Sequence, residues 1–212
     1  MPLDLNTTGG DFTPYIAYNA KAGRWAYKVD GQDQLVDVPL ERMVAVWDLE
    51  NLKTGWVIYK PNSAPEKIYD EAAGVRGPKP DGDGWKHGIE VLLFSSKNLD
   101  GEKELTTTAV AALRPFSALY DTYEAAPEKA KGQLPVVHCA RTVPVTSKYG
   151  TNYEPELKIV AWVDRKDTPW TDAAKLAAST PTQTSQPPAA PATPAAATPP
   201  PAQQTNQGAP DF

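Results

Sequence analysis

The sequence predicts a mainly β domain, a small barrel or sandwich with one helix, followed by a disordered C-terminal tail. Short runs rich in β-branched and aromatic residues recur through the first part of the chain and predict about six strands. Only one segment has apolar residues at helical spacing. After Trp170 the composition changes to Pro, Ala, Thr and Gln. One helix among about six strands does not fit the alternating strands and helices of a parallel sheet, and it favours a small antiparallel fold.

The predicted strands follow one another with turns or loops between them. The first two are separated by residues 50–54, which predict a short turn and hence a hairpin. The third and fourth are separated by an Asn-Leu-Asp-Gly turn at residues 98–101. Four prolines within residues 61–85 exclude continuous structure, so this connection is predicted to be a loop. The strands are predicted at residues 43–49, 55–60, 87–96, 104–108, 136–145 and 157–163.

The best helix candidate covers residues 115–126. Its apolar and aromatic residues Phe116, Leu119, Tyr120 and Tyr123 are spaced at i, i+3, i+4 and i+7. This spacing places them on one face of a helix, which is the pattern of a helix packed against the rest of a core.

The change of composition divides the chain into a body at residues 1–168 and a tail at residues 169–212. Between residues 171 and 209 the tail has no aromatic residue, and Asp172 and Lys175 are its only charges. Such a segment cannot bury enough apolar surface to offset the entropy of ordering it. We therefore predict a solvated tether, extended by its prolines.

The tail ends in Asp211 and Phe212, an aromatic ring beside an acid and a terminal carboxylate. An isolated apolar tip on a long tether predicts docking into a pocket of a partner protein. The alternative is that Phe212 only ends a solubilising spacer.

Composition and motifs argue against several functional classes. No apolar run reaches the roughly 20 residues of a membrane-spanning helix. The first ten residues lack the basic and apolar regions of a signal peptide, so we predict a cytoplasmic location and no membrane partner. Cys139 is the only cysteine, which excludes a disulfide within the chain. The sequence lacks a phosphate-binding P-loop, G-x-S-x-G and H-E-x-x-H, and it predicts neither an enzyme nor a metal or cofactor site.

Cations alternate with aromatic residues in several segments of the body. Single-stranded nucleic acid offers base faces for stacking and phosphates for Lys and Arg, so this mixture is typical of a strand-binding groove. The formal net charge of −5 argues against a basic duplex binder, but binding depends on how charges are distributed. Each ring has a core position as its alternative, which we expect for Trp47, Trp56 and Trp162 in predicted strands. The predicted DNA-binding residues are Lys21, Arg24, Trp25, Tyr27, Lys28, Lys60, Trp85, Lys86, Lys148, Tyr149 and Tyr153.

Residues 11–25, 48–56 and 150–155 resemble a group of bacteriophage proteins associated with single-stranded DNA binding. The resemblance spans the body and implies an OB-type fold, a five-stranded Greek-key β-barrel. It also implies a protein that coats single-stranded DNA with little sequence preference during phage DNA replication or recombination, in the host cytoplasm.

The tail is similar in layout to the tails of bacterial single-stranded DNA-binding proteins, whose tips recruit enzymes. Those tips carry several acids before Ile-Pro-Phe, whereas this chain has the single Asp211 before Phe212. The predicted partners are therefore single-stranded DNA and replication or recombination proteins that dock on Asp211 and Phe212. A homo-oligomer is compatible with the sequence.

Two other functional classes remain open. A structural or adaptor protein of a phage particle would use an aromatic surface of the body to bind other subunits and the tail as a spacer. A nuclease or sugar-processing enzyme would use carboxylates such as Glu90, Glu102 or Glu104, but their spacing selects no pair.

Overall fold

A computed structural model of the chain describes residues 14–29, 34–61, 63–148 and 150–170. The predicted tail from residue 171 onward, including the tip, lies outside the described residues. The elements in chain order are β1 Tyr15–Asn19, β2 Arg24–Lys28, β3 Leu35–Val38, β4 Val44–Trp47, β5 Lys53–Ile58, β6 Glu66–Tyr69, β7 Lys86–Ser95, β8 Gly101–Thr107, α1 Val110–Glu124, α2 Pro127–Ala130, β9 Gln133–Ser147 and β10 Gly150–Asp164. Short 3₁₀ turns cover Leu40–Arg42, Leu49–Asn51 and Arg165–Asp167.

The strands form one sheet in the order β10-β9-β4-β7-β8-β1-β2-β3, with β5 and β6 attached beside β7. The centre of the sheet is a Greek key. Its first strand is formed by β4 and β5 together, β7 and β8 are the second and third, and the fourth, β9, returns to lie beside β4. The ends of the sheet curl towards each other. The Tyr153 backbone N–H donates to the Ala20 carbonyl at 2.7 Å, and the Tyr18 hydroxyl donates to the Tyr153 carbonyl at 2.9 Å. The predicted mainly β, OB-like fold with one principal helix is confirmed.

The predicted hairpin between the first two strands is wrong. The chain does not reverse between β4 and β5, because the 3₁₀ turn Leu49–Asn51 carries it onward along the same edge of β7. β4 pairs with the end of β7, where Val46 lies opposite Phe94, and β5 pairs with its beginning, where Trp56 lies opposite His87. The two runs therefore act as one long interrupted strand.

All six predicted strands are present, and the structure adds four short ones. β1, β2 and β3 precede the first predicted strand, and β6 lies inside the connection at residues 61–85 that was predicted to be a loop. Each added strand has only four or five residues, and β6 lies at a free edge. Strands this short carry too few residues to show a periodic pattern on their own.

The predicted helix is confirmed, but α1 begins five residues earlier, at Val110 instead of Pro115. The prediction rested on the apolar spacing that starts at Phe116, and it therefore missed the first helical turn. The helix includes Pro115 in its interior at the expense of one backbone hydrogen bond. Ala112, Phe116, Leu119 and Tyr123 form its buried face.

The core is built around a row of aromatic rings. The centroid distances are 4.8 Å between Tyr18 and Trp25, 6.4 Å between Trp25 and Trp47, and 5.8 Å between Trp47 and Phe116. The row connects the β1–β2 hairpin, the central strand β4 and helix α1. Trp47 is buried as predicted, whereas Trp56 and Trp162 are only half-buried.

The folded body extends to Trp170, beyond the predicted end at residue 168. Trp170 is buried and packs edge-on against Phe94 with a centroid distance of 6.3 Å. Arg165 fixes this end of the body, because its guanidinium donates to the Trp170 carbonyl at 3.2 Å and to the buried carboxylate of Asp48 at 2.7 Å.

In the part of the chain that the structure describes, no helix is both long enough and apolar enough to span a bilayer.

Replacing Trp25 with Ala should lower the free energy of unfolding by about 3–5 kcal/mol, because it removes a fully buried ring from the aromatic row. The matched control is Arg24→Ala on the same strand, whose exposed side chain makes only a 3.7 Å contact with Asp37 and should change stability by less than about 0.5 kcal/mol. Urea denaturation measures both. Equal effects of the two variants would contradict the position assigned to Trp25.

Candidate nucleic-acid interface

The alternation of β2 separates the predicted cations from the predicted rings. Successive side chains of a strand point to opposite faces. Trp25 and Tyr27 therefore face the core, whereas Arg24 and Lys28 face away from it. Only 1% of Trp25 is exposed, so the prediction that Trp25 stacks on bases is wrong. Tyr27 is half-buried and packs against the core, with the Lys103 ammonium 5.3 Å from its ring centroid, so its ring is held inside the body.

A second group of predicted residues meets where the turn after β1 touches the β9–β10 hairpin. Lys21 lies in that turn, and its Nζ is 3.9 Å from the position that a Cβ on Gly150 would occupy. The close contact between this turn and β10 requires glycine at position 23, whose φ is +64°, because a Cβ there would lie 3.0 Å from the Tyr153 side chain. Tyr153 is half-buried and Lys148 is exposed. Tyr149 lies outside the described residues, as do Asp211 and Phe212.

The third group lies around the connection between β5 and β7. Lys60 is exposed and forms a salt bridge with Glu66. Trp85 is half-buried, and Lys86 is exposed as the first residue of β7. This group lies at the same end of the barrel as Lys21. β1 runs parallel to β8, so the turn after β1 lies beside the end of β8. β7 runs antiparallel to β8 with Ile89 opposite Thr107, so the beginning of β7 lies beside the end of β8 as well. We call this the loop end.

Two exposed tyrosines lie on the outer face of β7 and β8, the face that carries Glu90 and Thr106. Tyr59 is 54% exposed and its hydroxyl donates to the Thr106 carbonyl at 3.2 Å. Tyr69 is 46% exposed and its hydroxyl donates to Glu90 at 2.5 Å. In both cases the hydroxyl holds the ring against the sheet while about half of the side chain stays in solvent. Neither was among the predicted DNA-binding residues.

The outer face is concave where it approaches the loop end. A Cβ on Gly55 would lie 2.4 Å from the Ile68 carbonyl oxygen, and a Cβ on Gly88 would lie 2.3 Å from that of Thr107. Only glycine allows the neighbouring backbones to come this close. Gly55 and Gly88 are opposite each other, so together they bend the sheet towards the face that carries Tyr69.

An ion-pair network lies beneath the tyrosines. Glu90 is 7% exposed, and its carboxylate accepts from Lys67 at 2.7 Å and from Lys53 at 2.9 Å. Lys67 also forms a salt bridge with Glu104. The Lys53 ammonium lies 4.7 Å from the Tyr69 ring centroid. Glu90 and Glu104 are thus neutralised within the protein.

The network fixes the protonation states of its members. Burial raises the pKa of Glu90, but hydrogen bonds from Lys67, Tyr69 and Lys53 outweigh it and leave the pKa below its usual value. Burial lowers the pKa of Lys67, but its bonds to Glu104 and Glu90 leave it above its usual value. Burial and the Glu90 carboxylate raise the pKa of Tyr69. At neutral pH Glu90 is therefore an anion, Lys67 a cation and Tyr69 a neutral phenol that can donate.

Most exposed cations without a carboxylate partner lie on the β1–β2 hairpin or close to the start of β7. Within the described ranges, exposed or half-buried cations that form no salt bridge occur on the β1–β2 hairpin, in the connection between β5 and β7, and at the start of β7. They are Lys21, Lys28, Arg76, Lys79 and Lys86. Arg42, Lys97 and Lys131 are the other exposed cations of this kind. In the same ranges no group of His, Cys, Asp and Glu side chains could hold a metal ion.

The network predicts a specific pH dependence of stability. The folded pKa of Glu90 lies below its ordinary value of 4.5, so its contribution is present above that pH and is lost as the pH falls through the folded value. Glu90→Gln should therefore destabilise most at pH 6 to 7, and its difference from the unmodified protein should shrink towards pH 3. Urea denaturation across this range measures it, with exposed Glu41→Gln as control. A difference that is constant with pH would contradict the assigned role of Glu90.

Comparison of the chain with protein-family models, with curated proteins and with solved structures finds no match. The resemblance to phage single-stranded DNA-binding proteins therefore stays a prediction, and the OB-like fold with its outer face of tethered tyrosines is the basis for assigning a function.

Proposed function

We propose that the body binds single-stranded DNA, with little sequence preference, across the outer face of β7 and β8. OB folds bind oligonucleotides on the face of their second and third strands, between the loop after the first strand and the loop between the last two. In this chain those parts are the β7–β8 face, the connection between β5 and β7, and the β9–β10 turn. The proposal includes a role in phage DNA replication or recombination in the host cytoplasm.

The observation that carries the proposal is the pair of tyrosine rings held on a concave face beside unpaired cations. Stacking of a base on an aromatic side chain contributes roughly 1–3 kcal/mol and tolerates any base. Tyr59 and Tyr69 are already oriented by their hydroxyl bonds, so little side-chain entropy is lost when a base stacks on them. Bases offer free faces only in single strands, because in a duplex they stack on one another.

The charges of the face fit a ligand held by stacking more than by phosphate contacts. Glu90 and Glu104 are neutralised by Lys67 and Lys53, so they neither repel a phosphate strongly nor leave those lysines free to bind one. Phosphates would instead contact cations at the loop end, such as Lys21 and Lys86. Of the residues predicted from sequence, the proposal keeps Lys21, Arg24, Lys28, Lys60, Trp85, Lys86, Lys148, Tyr149 and Tyr153. Recruitment of partners through Asp211 and Phe212 stays a part of the proposal that rests on sequence.

Tyr59→Ala should weaken binding to oligo(dT) by about 5- to 150-fold, the equivalent of one lost stacking interaction. Tyr59→Phe keeps the ring and should stay within about threefold of the unmodified protein. Fluorescence anisotropy of a labelled oligonucleotide measures both. Val160→Ala, an exposed apolar residue on β10, is the control. An oligo(dT) affinity that Tyr59→Ala leaves unchanged would contradict the assigned face, and absence of binding by the unmodified protein would favour the adaptor alternative.

Lys86→Ala should make binding less sensitive to salt. Each phosphate contact to a single strand releases about 0.7 counterion, so losing one contact should reduce the log–log salt slope by about 0.7. Lys129→Ala is the matched control, because Lys129 is already paired with Glu124 next to helix α2. Titrations at several salt concentrations measure the slopes. Equal changes in both variants would show that Lys86 acts only through net charge.

A further inference from the structure

The opposite side of β5 and β7 carries a second aromatic site next to the loop end. Trp56 on β5 lies opposite His87 on β7, with the rings edge to face and 5.3 Å between centroids. The Trp56 indole N–H donates to the Gly77 carbonyl at 3.0 Å. The carbon at the centre of the Arg76 guanidinium lies 5.5 Å from the Trp56 ring centroid, so Arg76 stands over the indole.

Asp70 holds the segment that carries Arg76. Its carboxylate accepts from the Gly77 backbone N–H at 2.9 Å and the Thr54 hydroxyl at 2.5 Å. It also contacts His87 Nε2 at 2.8 Å, and its side chain is only 1% exposed. The Asp70 backbone N–H adds a bond to the Thr54 carbonyl at 2.9 Å. Residues 70–77 are therefore fixed at both ends to the β5–β7 sheet, and we call them the Asp70 clamp.

We infer that the Asp70 clamp presents Arg76 on Trp56 as a further contact for the phosphates of single-stranded DNA, with Asp70 as its positioning residue. This inference rests on the proposed function and adds a contact that the sequence did not predict. Arg76 is exposed and forms no salt bridge with any described residue, so its guanidinium has its donors available. A guanidinium suits this role because it stacks on an aromatic ring with its plane and binds phosphate with its edge.

The clamp lies where a bound strand would leave the tyrosine face. Lys86 and His87 are neighbours on β7 and point to opposite sides of the sheet, Lys86 to the side of Glu90 and His87 to the side of Trp56. The beginning of β7 therefore joins the two sides, and a strand passing Lys86 reaches Arg76 next. Because the clamp orders Arg76 before binding, less conformational entropy is lost in the complex.

Asp70→Ala gives the decisive test, because it removes the acceptor for the Gly77 N–H, which Asn would keep, and because charge and positioning predict opposite results. The substitution removes one negative charge, which by electrostatics alone should strengthen binding to DNA. If Asp70 positions Arg76, affinity for oligo(dT) should instead fall, by about the same factor as in Arg76→Ala, for which we expect a loss of about fivefold or more and a salt slope reduced by about 0.7. Arg76→Lys should restore the slope without restoring the full affinity.

Controls separate positioning from unfolding. Lys79→Ala removes an exposed cation of the same connection that stacks on none of the described rings, and it should reduce affinity less than Arg76→Ala. The double variant Asp70→Ala with Arg76→Ala should bind no more weakly than Arg76→Ala alone. Trypsin cleavage after Arg76 should be faster in Asp70→Ala, while urea denaturation shows whether the body stays folded. If Asp70→Ala does not fold, Thr54→Val removes one bond to the same carboxylate and replaces it in the series.

The outcomes distinguish this inference from the proposed function. Binding of oligo(dT) by the unmodified protein, with no loss in Arg76→Ala or Asp70→Ala, would overturn the clamp inference alone. Absence of binding by the unmodified protein would overturn both. A loss of affinity in Asp70→Ala that is no larger in the double variant would establish Asp70 as the positioning residue of Arg76.

Discussion

The pairing of β7 with three other strands is the constraint on which the rest of the structure depends. β4 and β5 share one of its edges and β8 takes the other. Its pleat gives the two sides different chemistry. Val91 and Leu93 are fully buried in the core, whereas Glu90, next to Val91, points outward and binds Lys53, Lys67 and Tyr69. A shift of register by one residue would place Glu90 in the core and Val91 under the tyrosines, so core and outer face specify the same register.

The network around Glu90 carries a large desolvation penalty, so its net contribution to the stability of the sheet is small. Removing charges from water costs several kcal/mol per ion, and replacing a buried ion pair with apolar residues is often neutral or stabilising by about 1–4 kcal/mol. An apolar substitute would lose one property that the network provides, which is the fixed acceptor for the Tyr69 hydroxyl. The same reasoning applies to Asp70, whose buried carboxylate fixes the Gly77 backbone and thereby the place of Arg76. In both cases a buried anion determines where a solvent-facing group stands, and this supports a binding role for the surface above it.

The sequence predicted those parts of the fold that depend on local pattern. Long strands such as β7, and helix α1 with Phe116, Leu119 and Tyr123 on one face, carry enough residues for their period to be recognised. The relation between β4 and β5 could not be predicted, because it depends on the distant strand β7. For the site, the interleaving of Arg24 and Trp25 was misleading for a physical reason: neighbours along a strand point to opposite faces.

The residues that do come together on the outer face are far apart in sequence. Tyr59 leads out of β5, whereas the carbonyl that fixes it belongs to Thr106 on β8. The β-branched Ile68 and the aromatic Tyr69 favour a strand, but four residues among several prolines are too few to indicate one. The segments rich in both cations and rings include Lys21 and Lys86 at the loop end, but two of their rings, Trp25 and Tyr27, face the core.

An acidic chain can still offer a surface for a polyanion when its carboxylates are neutralised internally. The formal net charge of −5 counts Glu90 and Glu104, but a phosphate near the outer face meets them already paired with Lys67 and Lys53. Screening limits the reach of the remaining exposed acids to about 8 Å at physiological ionic strength. Under the proposed function, the forces on a strand at this face would come mainly from the cations of the loop end and from the tyrosine rings. Attraction of that kind is short-ranged, and it favours a flexible single strand that can follow a concave face over a stiff duplex that cannot.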